Sequence, residues 1–135
     1  TKKSIQSVIN EKTLLSRISS PFIVNMHYAF QDREVLYLVM DLMTGGDLRY
    51  HIGSRVRFTE VQAIDYSSNS EFFIACIILG LEYLHEQNII HRDIKPENLV
   101  FDHKGYIRIT DLGIARLHRQ QNSCDTSGTP GYMCT

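Results

Sequence analysis

Apolar residues recur near the start of the chain with the spacing of one helix face. They are Ile5, Val8, Ile9, Leu15 and Ile18. Steps of three and four residues place side chains on the same side of a helix. The sequence Ser-Ser-Pro at positions 19–21 interrupts this pattern. We therefore predict a first helix over residues 4–18.

Two pairs of short apolar runs predict two hairpins. The runs FIVNMHYAF and VLYLVM flank the polar sequence QDRE at positions 31–34. The runs NLVF and YIRIT flank the turn sequence DHKG at positions 102–105. Apolar and aromatic runs separated by a short polar turn are typical of antiparallel strand pairs. We expect one hairpin at each of these places.

The region between the hairpins predicts helices. The sequence TGGDL at positions 44–48 ends the strand pattern, because paired glycines weaken regular structure. We predict a short helix from Asp47 to about Gly53 and a long helix from Glu71 to Glu86. After the second hairpin, residues 117–124 are interpreted as a polar tail. These elements give an α+β fold class.

Composition favours a folded domain and excludes some classes of partner. The chain has 135 residues, of which 43% are hydrophobic, and this is ample for one modest core. A net charge of −1 gives no field that would favour nucleic acid or an anionic membrane. We expect no nucleic-acid partner, and the oligomeric state stays open.

Cysteine usage indicates a reducing compartment, and the length of the most apolar run argues against a membrane-spanning helix. Cys76, Cys124 and Cys134 are widely spaced without a CxxC pair, so neither a disulfide framework nor a zinc site is indicated. The run FFIACIILGL has ten residues, about half of the roughly 20 that a membrane-spanning helix needs. The N-terminal sequence TKKSIQSVIN lacks the apolar core of a signal peptide. We expect no membrane span and a cytoplasmic or nuclear location.

Candidate chemistry lies at one end of the second predicted hairpin. Asp93 and Asn98 precede its first strand, and Asp111 follows its last. Folding the hairpin brings these three side chains together. Converging oxygen atoms are what a hard divalent cation requires, especially one that already carries phosphate oxygens. Lys95 adds a positive charge that could face a phosphoryl group.

The sequence HRDIKPEN followed by DLG resembles the catalytic loop and magnesium-binding loop of eukaryotic protein kinases. The alternative is a charged loop that merely caps a hairpin, which would need every position to coincide by chance. The resemblance implies part of a bilobal kinase fold, the end of the N-lobe and the first part of the C-lobe. On this basis residues 1–40 are the regulatory helix and hairpin of the N-lobe and residues 41–47 the hinge. Residues 48–135 would start the C-lobe with its catalytic loop and activation segment.

The resemblance implies ATP and Mg²⁺ as cofactors and assigns roles to individual residues. Asp93 is similar to the catalytic aspartate that orients the substrate hydroxyl and accepts its proton. Lys95 is similar to the lysine that stabilises the γ-phosphoryl group, while Asn98 and Asp111 are similar to the magnesium ligands. Glu11 matches the regulatory-helix glutamate that pairs with an ATP-contacting lysine.

The sequence LVMDLMTGGDL resembles the hinge of the family. An adenine ring would there hydrogen-bond backbone groups near Asp41 and Met43. Met40 would guard the back pocket, and Val100 would form the adenine floor. Asp47 matches an acidic position that contacts the ribose or a substrate arginine. A methionine-rich apolar stripe is nevertheless more often core than cofactor site.

Lys95 with Thr129 in GTPGY is similar to the serine/threonine kinase pattern. The resemblance thus implies Ser/Thr of protein substrates as acceptors. Asp47 and Glu97 point to basic substrate sequences, as in the AGC group. Within that group, GGDLRYH and FQD are most similar to the YANK kinases.

Regulation is predicted at the end of the chain. Asp125 stands where many AGC-like kinases carry an activating phosphothreonine, so its carboxylate could pair with Arg92. Thr126 and Ser127 are alternative phosphosites, and Asp125 in isolation could equally be a solvated loop residue.

Departures from the family pattern limit what we expect of these 135 residues. The glycine-rich loop, the strand lysine and the C-terminal helices fall outside them, so little phosphate transfer is expected from the chain alone. About seven extra residues, centred on VQAIDYSSNS at positions 61–70, are interpreted as a surface loop insertion or a gene-model error. Two hypotheses remain, a fragment of a serine/threonine kinase and a truncated kinase-like binding module without catalysis.

Overall fold

The computed structural model describes residues 2–53, 60–118 and 127–133, with the backbone alone for residues 2–4 and 60–69. In this part of the chain the helices are α1 (Lys2–Leu15), α2 (Leu48–Gly53) and α3 (Glu60–Glu86). The strands are β1 (Met26–Gln31), β2 (Leu36–Met40), β3 (Ile89–Ile90), β4 (Leu99–Phe101), β5 (Ile107–Ile109) and β6 (Arg116–Leu117). A 3₁₀ turn, Pro96–Asn98, precedes β4. The strands form three two-stranded sheets, β1–β2, β3–β6 and β4–β5. The predicted α+β class is therefore confirmed.

The first helix forms as predicted but ends at Leu15 rather than at residue 18. The Arg17 N–H donates to the Leu14 carbonyl at 3.0 Å, which is a tighter turn than an α-helix makes. The Ser16 hydroxyl also donates to the Thr13 carbonyl, and such a bond competes with the helical pattern. Ile18 is still buried, so its place in the apolar pattern reflects the core rather than the helix.

The first hairpin is confirmed, and its turn has a clear cause. The Asp32 carboxylate accepts the N–H groups of Glu34 and Val35 at 2.8 and 2.7 Å, a turn that aspartate favours. Across the strands Phe30 is opposite Tyr37, and the two rings stack with centroids 4.9 Å apart. Cross-strand aromatic pairs of this kind stabilise a hairpin.

Two predictions about the middle and end of the chain were wrong. Helix α3 begins at Glu60, not at Glu71, so positions 61–70 continue the helix instead of forming a loop. No glycine or proline interrupts residues 60–79, so the weak helix formers at positions 67–70 are carried within a longer helix. Leu117 belongs to β6, which pairs with β3, rather than to a polar tail. That pairing joins residues far apart in sequence, which local patterns cannot reveal.

The hydrophobic core is centred on the second hairpin. This hairpin was predicted from the sequence. Ile109 of β5 is fully buried; its carbonyl accepts the Val24 N–H and its N–H donates to the Phe22 carbonyl. Helix α3 approaches on the other side at Gly80, where an added Cβ would lie 2.9 Å from the Ile109 side chain. Ile23, Leu84 and Ile107 are fully buried in the same core.

The segment between β2 and α2 lies along β4. The Gly45 N–H donates to the Phe101 carbonyl at 2.9 Å, and the Phe101 N–H donates to the Gly46 carbonyl at 2.8 Å. An added Cβ at Gly45 would lie only 2.5 Å from the Phe101 Cβ, so this approach requires glycine. The segment is thereby fixed close to the second hairpin.

Among the helices of the described residues, none combines the length and apolar character needed to cross a membrane.

Large apolar side chains are exposed on several elements, and this generates a prediction about the isolated chain. Ile5 and Ile9 of α1, Tyr28 and Phe30 of β1, and Ile78 of α3 are each at least 47% exposed. Apolar patches of this kind bind hydrophobic dyes and promote association. We expect strong dye fluorescence and a broad melt for the 135-residue chain, and Ile78→Glu should reduce the dye signal without loss of helicity. A sharp transition that coincides in calorimetry and circular dichroism would contradict this.

Candidate active site

Two residues of the candidate site have strained backbone. Arg92 has φ of 69° and Asp111 has φ of 63°, in the left-handed region that residues with a Cβ rarely occupy. Each such residue costs on the order of 1–3 kcal/mol and persists only where its surroundings hold it. The loop after β3 and the segment after β5 are therefore held in place by their contacts.

His91 links these two segments. Its Nε2 donates to the Thr110 carbonyl at 3.0 Å, and its Nδ1 accepts the Asp93 N–H at 3.2 Å. These bonds fit a neutral ring with its hydrogen on Nε2. Burial lowers the pKa of His91, which is consistent with the neutral form. His91 thus connects the backbone of Asp93 to the residue before Asp111, as expected of a structural residue.

The Asp93 carboxylate accepts hydrogen bonds on both oxygen atoms. Oδ1 accepts the Thr129 N–H at 3.1 Å and the Thr129 hydroxyl at 2.5 Å. Oδ2 accepts the Lys95 Nζ at 2.7 Å and the Asn98 Nδ2 at 3.2 Å. Lys95 also donates to the Thr129 hydroxyl at 2.9 Å. The structure therefore brings Asp93, Lys95, Asn98 and Thr129 together in one cluster.

The charges of Asp93 and Lys95 support each other. Burial raises the pKa of Asp93, but the hydrogen bonds from Lys95, Thr129 and Asn98 outweigh it and hold the pKa below its ordinary value. The hydrogen bond to Asp93 raises the pKa of Lys95. Both groups are thus charged at neutral pH. An anion and a cation fixed side by side can orient a hydroxyl group and stabilise developing phosphoryl charge.

Asn98 and Asp111 lie at the same end of the second hairpin. Leu99 pairs with Ile109, and the Thr110 N–H donates to the Asn98 carbonyl at 3.0 Å. The Asn98 amide nitrogen donates to the Asp93 backbone carbonyl at 2.9 Å and to the Asp93 carboxylate, so the amide oxygen is the atom left for a cation. Asp111 is exposed and carries the second oxygen donor.

This donor set fits Mg²⁺, which takes one or two protein oxygens and completes its shell with water and substrate phosphates. Within residues 2–53, 60–118 and 127–133, no cluster of three or more His, Cys, Asp or Glu could hold a metal by itself. A cation at Asn98 and Asp111 would complete its shell with water and phosphate oxygens.

Helix α1 is docked to the segment after Asp111 by polar side chains. The Ser7 hydroxyl donates to the Gly113 carbonyl at 2.7 Å. Asn10 donates to the Ala115 carbonyl at 2.9 Å and more weakly to the Leu112 carbonyl at 3.4 Å. Ser7 and Asn10 were not predicted as site residues, because no local sequence pattern indicates a contact between residues more than 100 positions apart.

The negative charges of Glu11 in α1 and of Asp111 repel each other. Burial and the negative charge of Asp111 raise the pKa of Glu11, while the Leu112 N–H lowers it. A nearby cation would relieve this repulsion, and the family resemblance pairs Glu11 with a strand lysine.

The predicted nucleotide-binding residues lie along β2, β4 and the segment between β2 and α2. Met40 ends β2 and packs against the core, and Met43 is half-buried. Val100 forms an isolated bridge with Asp47, so these two predicted residues are neighbours. The Asp47 carboxylate caps α2 by accepting the Tyr50 N–H at 2.7 Å, a role that the sequence analysis did not assign.

The predicted substrate-binding Glu97 has a competing partner. Arg49 of α2 lies 3.7 Å from its carboxylate, and both side chains are largely exposed. An exposed pair of this length contributes little to stability. It would nevertheless reduce the negative charge that Glu97 presents to a basic substrate.

The predicted regulatory residues are only partly described. Arg92 donates from both Nε and Nη2 to the Ile114 carbonyl, and with Arg116, Ser7 and Ser127 it lines a cavity of about 420 Å³. Asp125 and Thr126 lie outside the described residues, so the pairing of Asp125 with Arg92 and the phosphosite at Thr126 stay predictions.

A second polar cluster surrounds the side chain of Asp41 and was not predicted from the sequence. Only backbone contacts were predicted near this residue. In the structure the Asp41 carboxylate binds Asn25, His27 and Arg108. No motif indicated these residues, since each belongs to an apolar run in the sequence.

The family model of the protein kinase domain matches residues 1–135. The chain therefore belongs to the protein kinase domain family, and the predicted kinase resemblance is confirmed.

Similar proteins are serine/threonine kinases of the AGC type. A probable serine/threonine-protein kinase of Dictyostelium discoideum is 46% identical over 98% of this chain and 28% of its own length. The cAMP-dependent protein kinase catalytic subunit of the same organism is 40% identical over 97% of this chain and 19% of its own. Human serine/threonine-protein kinase 32B is 38% identical over 98% of this chain and 30% of its own length. The chain thus spans less than a third of each of these relatives.

The carboxylates of three aspartates in the two polar clusters predict that the folded state loses stability in acid. Burial raises the pKa values of Asp41, Asp93 and Asp102, but hydrogen bonds and neighbouring cations outweigh it and lower all three. A carboxylate whose pKa is lower in the folded state stabilises that state above its unfolded pKa of about 4. This stabilisation is lost as the pH falls through the folded pKa values.

We therefore expect the urea concentration at the denaturation midpoint to decrease when the pH is lowered below about 4. Circular dichroism measures this midpoint. Asp102→Asn should lower the midpoint at pH 6 and reduce its change between pH 6 and pH 3. An equal pH dependence in the variant and the parent would contradict the role of Asp102. Glu34→Gln, at an exposed turn position, is the control.

Proposed function

We propose that this chain forms the central part of a serine/threonine protein kinase, which transfers the γ-phosphoryl group of ATP to Ser or Thr hydroxyls of proteins. In the complete bilobal domain, residues 1–40 would belong to the N-lobe, residues 41–47 to the hinge and residues 48–135 to the C-lobe. The observation that carries the proposal is the Asp93 carboxylate, 2.7 Å from the Lys95 ammonium and bonded to Asn98 and Thr129. A purely structural loop has no need of this concentration of charge.

Asp93 would orient the substrate hydroxyl and accept its proton at a carboxylate oxygen. Its low pKa makes it a weak base, so positioning rather than basicity is its main contribution. Lys95 would hold the transferring group by charge, and Thr129 would fix Asp93 and Lys95 relative to each other. Asn98 and Asp111 would hold Mg²⁺, which when bound neutralises charge on the phosphates. Glu11 would pair with a lysine from a strand outside these 135 residues.

The nucleotide would lie between the hinge and β4. Backbone groups of Asp41 and Met43 would meet the adenine ring, with Met40 behind it and Val100 beneath it. Asp47 would face the ribose while its other oxygen caps α2. These assignments rest on the family resemblance and on the bridge between Asp47 and Val100.

The acceptor would be a Ser or Thr in a basic sequence context, with Glu97 as the acidic contact. Arg49 competes for Glu97 in the free protein, so we expect this preference to be moderate. A cytoplasmic or nuclear location, where ATP and protein substrates are available, belongs to the same proposal.

Replacement of Asp93 tests the proposal in a complete kinase domain, built by adding the remaining portions of a relative to this chain. Asp93→Asn should lower kcat by about a thousandfold or more, because the neutral amide no longer orients the substrate hydroxyl as the carboxylate does. The affinity for ATP should change little, since Asp93 does not line the adenine site. Phosphate transfer to Ser/Thr peptides and ATP binding are measured in parallel.

Asp32→Asn, at the exposed turn of the first hairpin, is the matched control and should leave kcat unchanged. An undiminished rate in Asp93→Asn would remove Asp93 from this role. A parent domain that binds ATP but transfers no phosphate would favour the binding-module hypothesis instead.

Regulation would use the cavity beside Arg92. Its two arginines, Arg92 and Arg116, would attract an acidic or phosphorylated residue from the segment that carries Asp125 and Thr126. The carboxylate of Asp125 would order this segment only partly, since it carries one charge and a phosphate nearly two. Thr126 would be the phosphosite that completes the ordering.

A double-mutant cycle tests this role of Asp125. In the unphosphorylated complete domain, Asp125→Asn should reduce activity several-fold, because the attraction to Arg92 is lost. In the Arg92→Ala background the same change should be nearly silent. Additive losses would show that the two residues do not interact.

A further inference from the structure

Five polar residues form a cluster that joins both hairpins to the segment between β2 and α2. They are Asn25, His27, Asp41, Asp102 and Arg108, and we call them the Asp41 clip. Its centre is Asp41, the first residue after β2. The two oxygen atoms of the Asp41 carboxylate accept four hydrogen bonds.

The first hairpin holds Asp41 from one side. Asn25 donates to Asp41 Oδ2 from its backbone N–H at 2.9 Å and from its side-chain amide at 3.0 Å. The Asn25 carbonyl in turn accepts the Asp41 N–H at 2.9 Å. His27 Nε2 lies 2.8 Å from Asp41 Oδ1, at a more exposed position. Both the backbone and the side chain of Asp41 are therefore bonded to the start of the first hairpin.

Arg108 holds Asp41 from the other side, over a separation of 67 residues. Its Nη1 donates to Asp41 Oδ2 at 2.9 Å, and its Nη2 donates to Asp102 Oδ2 at 3.1 Å. Asp102 is itself fixed, because its Oδ1 accepts the N–H groups of Lys104 and Tyr106 in the turn between β4 and β5. Arg108 thus bridges a carboxylate of the hinge segment and one of the second hairpin. Its planar guanidinium group suits such a bridge, whereas lysine offers only a point charge.

The register of β4 and β5 gives Arg108 its place beside the proposed nucleotide site. Arg108 is the cross-strand partner of Val100, and the neighbours of both along their strands are buried in the core. Arg108 and Val100 therefore lie on the same face of the hairpin, opposite the core. This face carries Val100, which we propose as the adenine floor.

The hinge segment is fixed at two points. The Asp41 clip holds its beginning, and the backbone bonds between Gly45, Gly46 and Phe101 hold its end. The backbone groups of Asp41 and Met43 are proposed to bind adenine. Asp41 is at the first of these points, and Met43 lies between the two. Loss of the clip would leave the start of this segment held only by the pairing of Met40 with Met26.

We propose that Arg108 is a positioning residue for nucleotide binding: by bridging Asp41 and Asp102 it sets the path of residues 41–44 over Val100. The nucleotide part of this inference rests on the proposed kinase function. Arg108 acts through Asp41 and does not contact the reacting atoms. Its loss therefore affects affinity for the nucleotide rather than the rate of phosphate transfer.

The test uses Arg108→Met and Arg108→Lys in the complete kinase domain. Calorimetry with ADP in the absence of metal should give a Kd about tenfold higher for Arg108→Met, because the nucleotide must then order residues 41–44 when it binds. The KM for ATP should rise in parallel while kcat stays within about twofold. Arg108→Lys should give an intermediate Kd. Arg17→Met, at an exposed arginine after α1, is the control.

Hydrogen exchange provides a readout that needs no nucleotide. The Asp41 amide, bonded to the Asn25 carbonyl, should exchange faster in Arg108→Met than in the parent. The Ile109 amide, in the core of the second hairpin, should exchange at an unchanged rate. Faster exchange at both amides would mean general destabilisation and would overturn the positioning role.

Asp41→Asn keeps the size of the side chain and tests the same bridge if Arg108→Met does not fold. Combined with Arg108→Lys, it should raise the Kd for ADP less than the sum of the single effects. Unchanged or tighter ADP binding in the Arg108 variants would overturn the proposal. If the parent domain binds ADP but phosphorylates no Ser/Thr peptide, the kinase function fails while the positioning role of Arg108 is still decided.

Discussion

The pairing of Leu99 with Ile109 is the constraint on which the rest of the structure depends. Both residues are buried, and Ile109 is also bonded through its backbone to Phe22 and Val24. This one pairing brings three parts of the chain together: the residues after α1, the loop before β4 and the segment after β5. Asn98 and Thr110 meet at one end of the pair as a direct result. Apolar packing of the second hairpin therefore brings the segments of the site together, independently of the polar contacts within the site.

The polar contacts have a different role, because they stabilise backbone conformations that apolar packing alone would not maintain. Arg92 and Asp111 adopt left-handed conformations on either side of His91, whose ring joins the two segments. A buried polar ring is costly unless both nitrogen atoms are bonded. The neutral His91 meets that condition, so it can stabilise strained backbone without adding a charge next to Asp93 and Lys95.

Local pattern predicted the elements well and the long-range contacts poorly. The hairpin at residues 98–110 follows from two apolar runs around DHKG, and the site residues follow from a motif of fixed spacing. By contrast, the pairing of Ile89 with Leu117 and the bond from Arg108 to Asp41 join distant positions. The start of α3 was misjudged because Ser67–Ser70 are weak helix formers, and the adjoining helix overrides their preference. Asn10 shows the same limit, since its partner lies in another segment.

The alternation of the second hairpin explains how one short element serves both polar clusters. In β4 and β5 the first and last residues are buried and the middle ones, Val100 and Arg108, are not. A shift of register by one residue would send Arg108 into the core and Ile109 outward, which no partner could compensate. The buried residues therefore specify which face Arg108 occupies. Because Asn98 and Asp111 flank the same strands, the register that positions the candidate metal ligands also positions the bridge to Asp41.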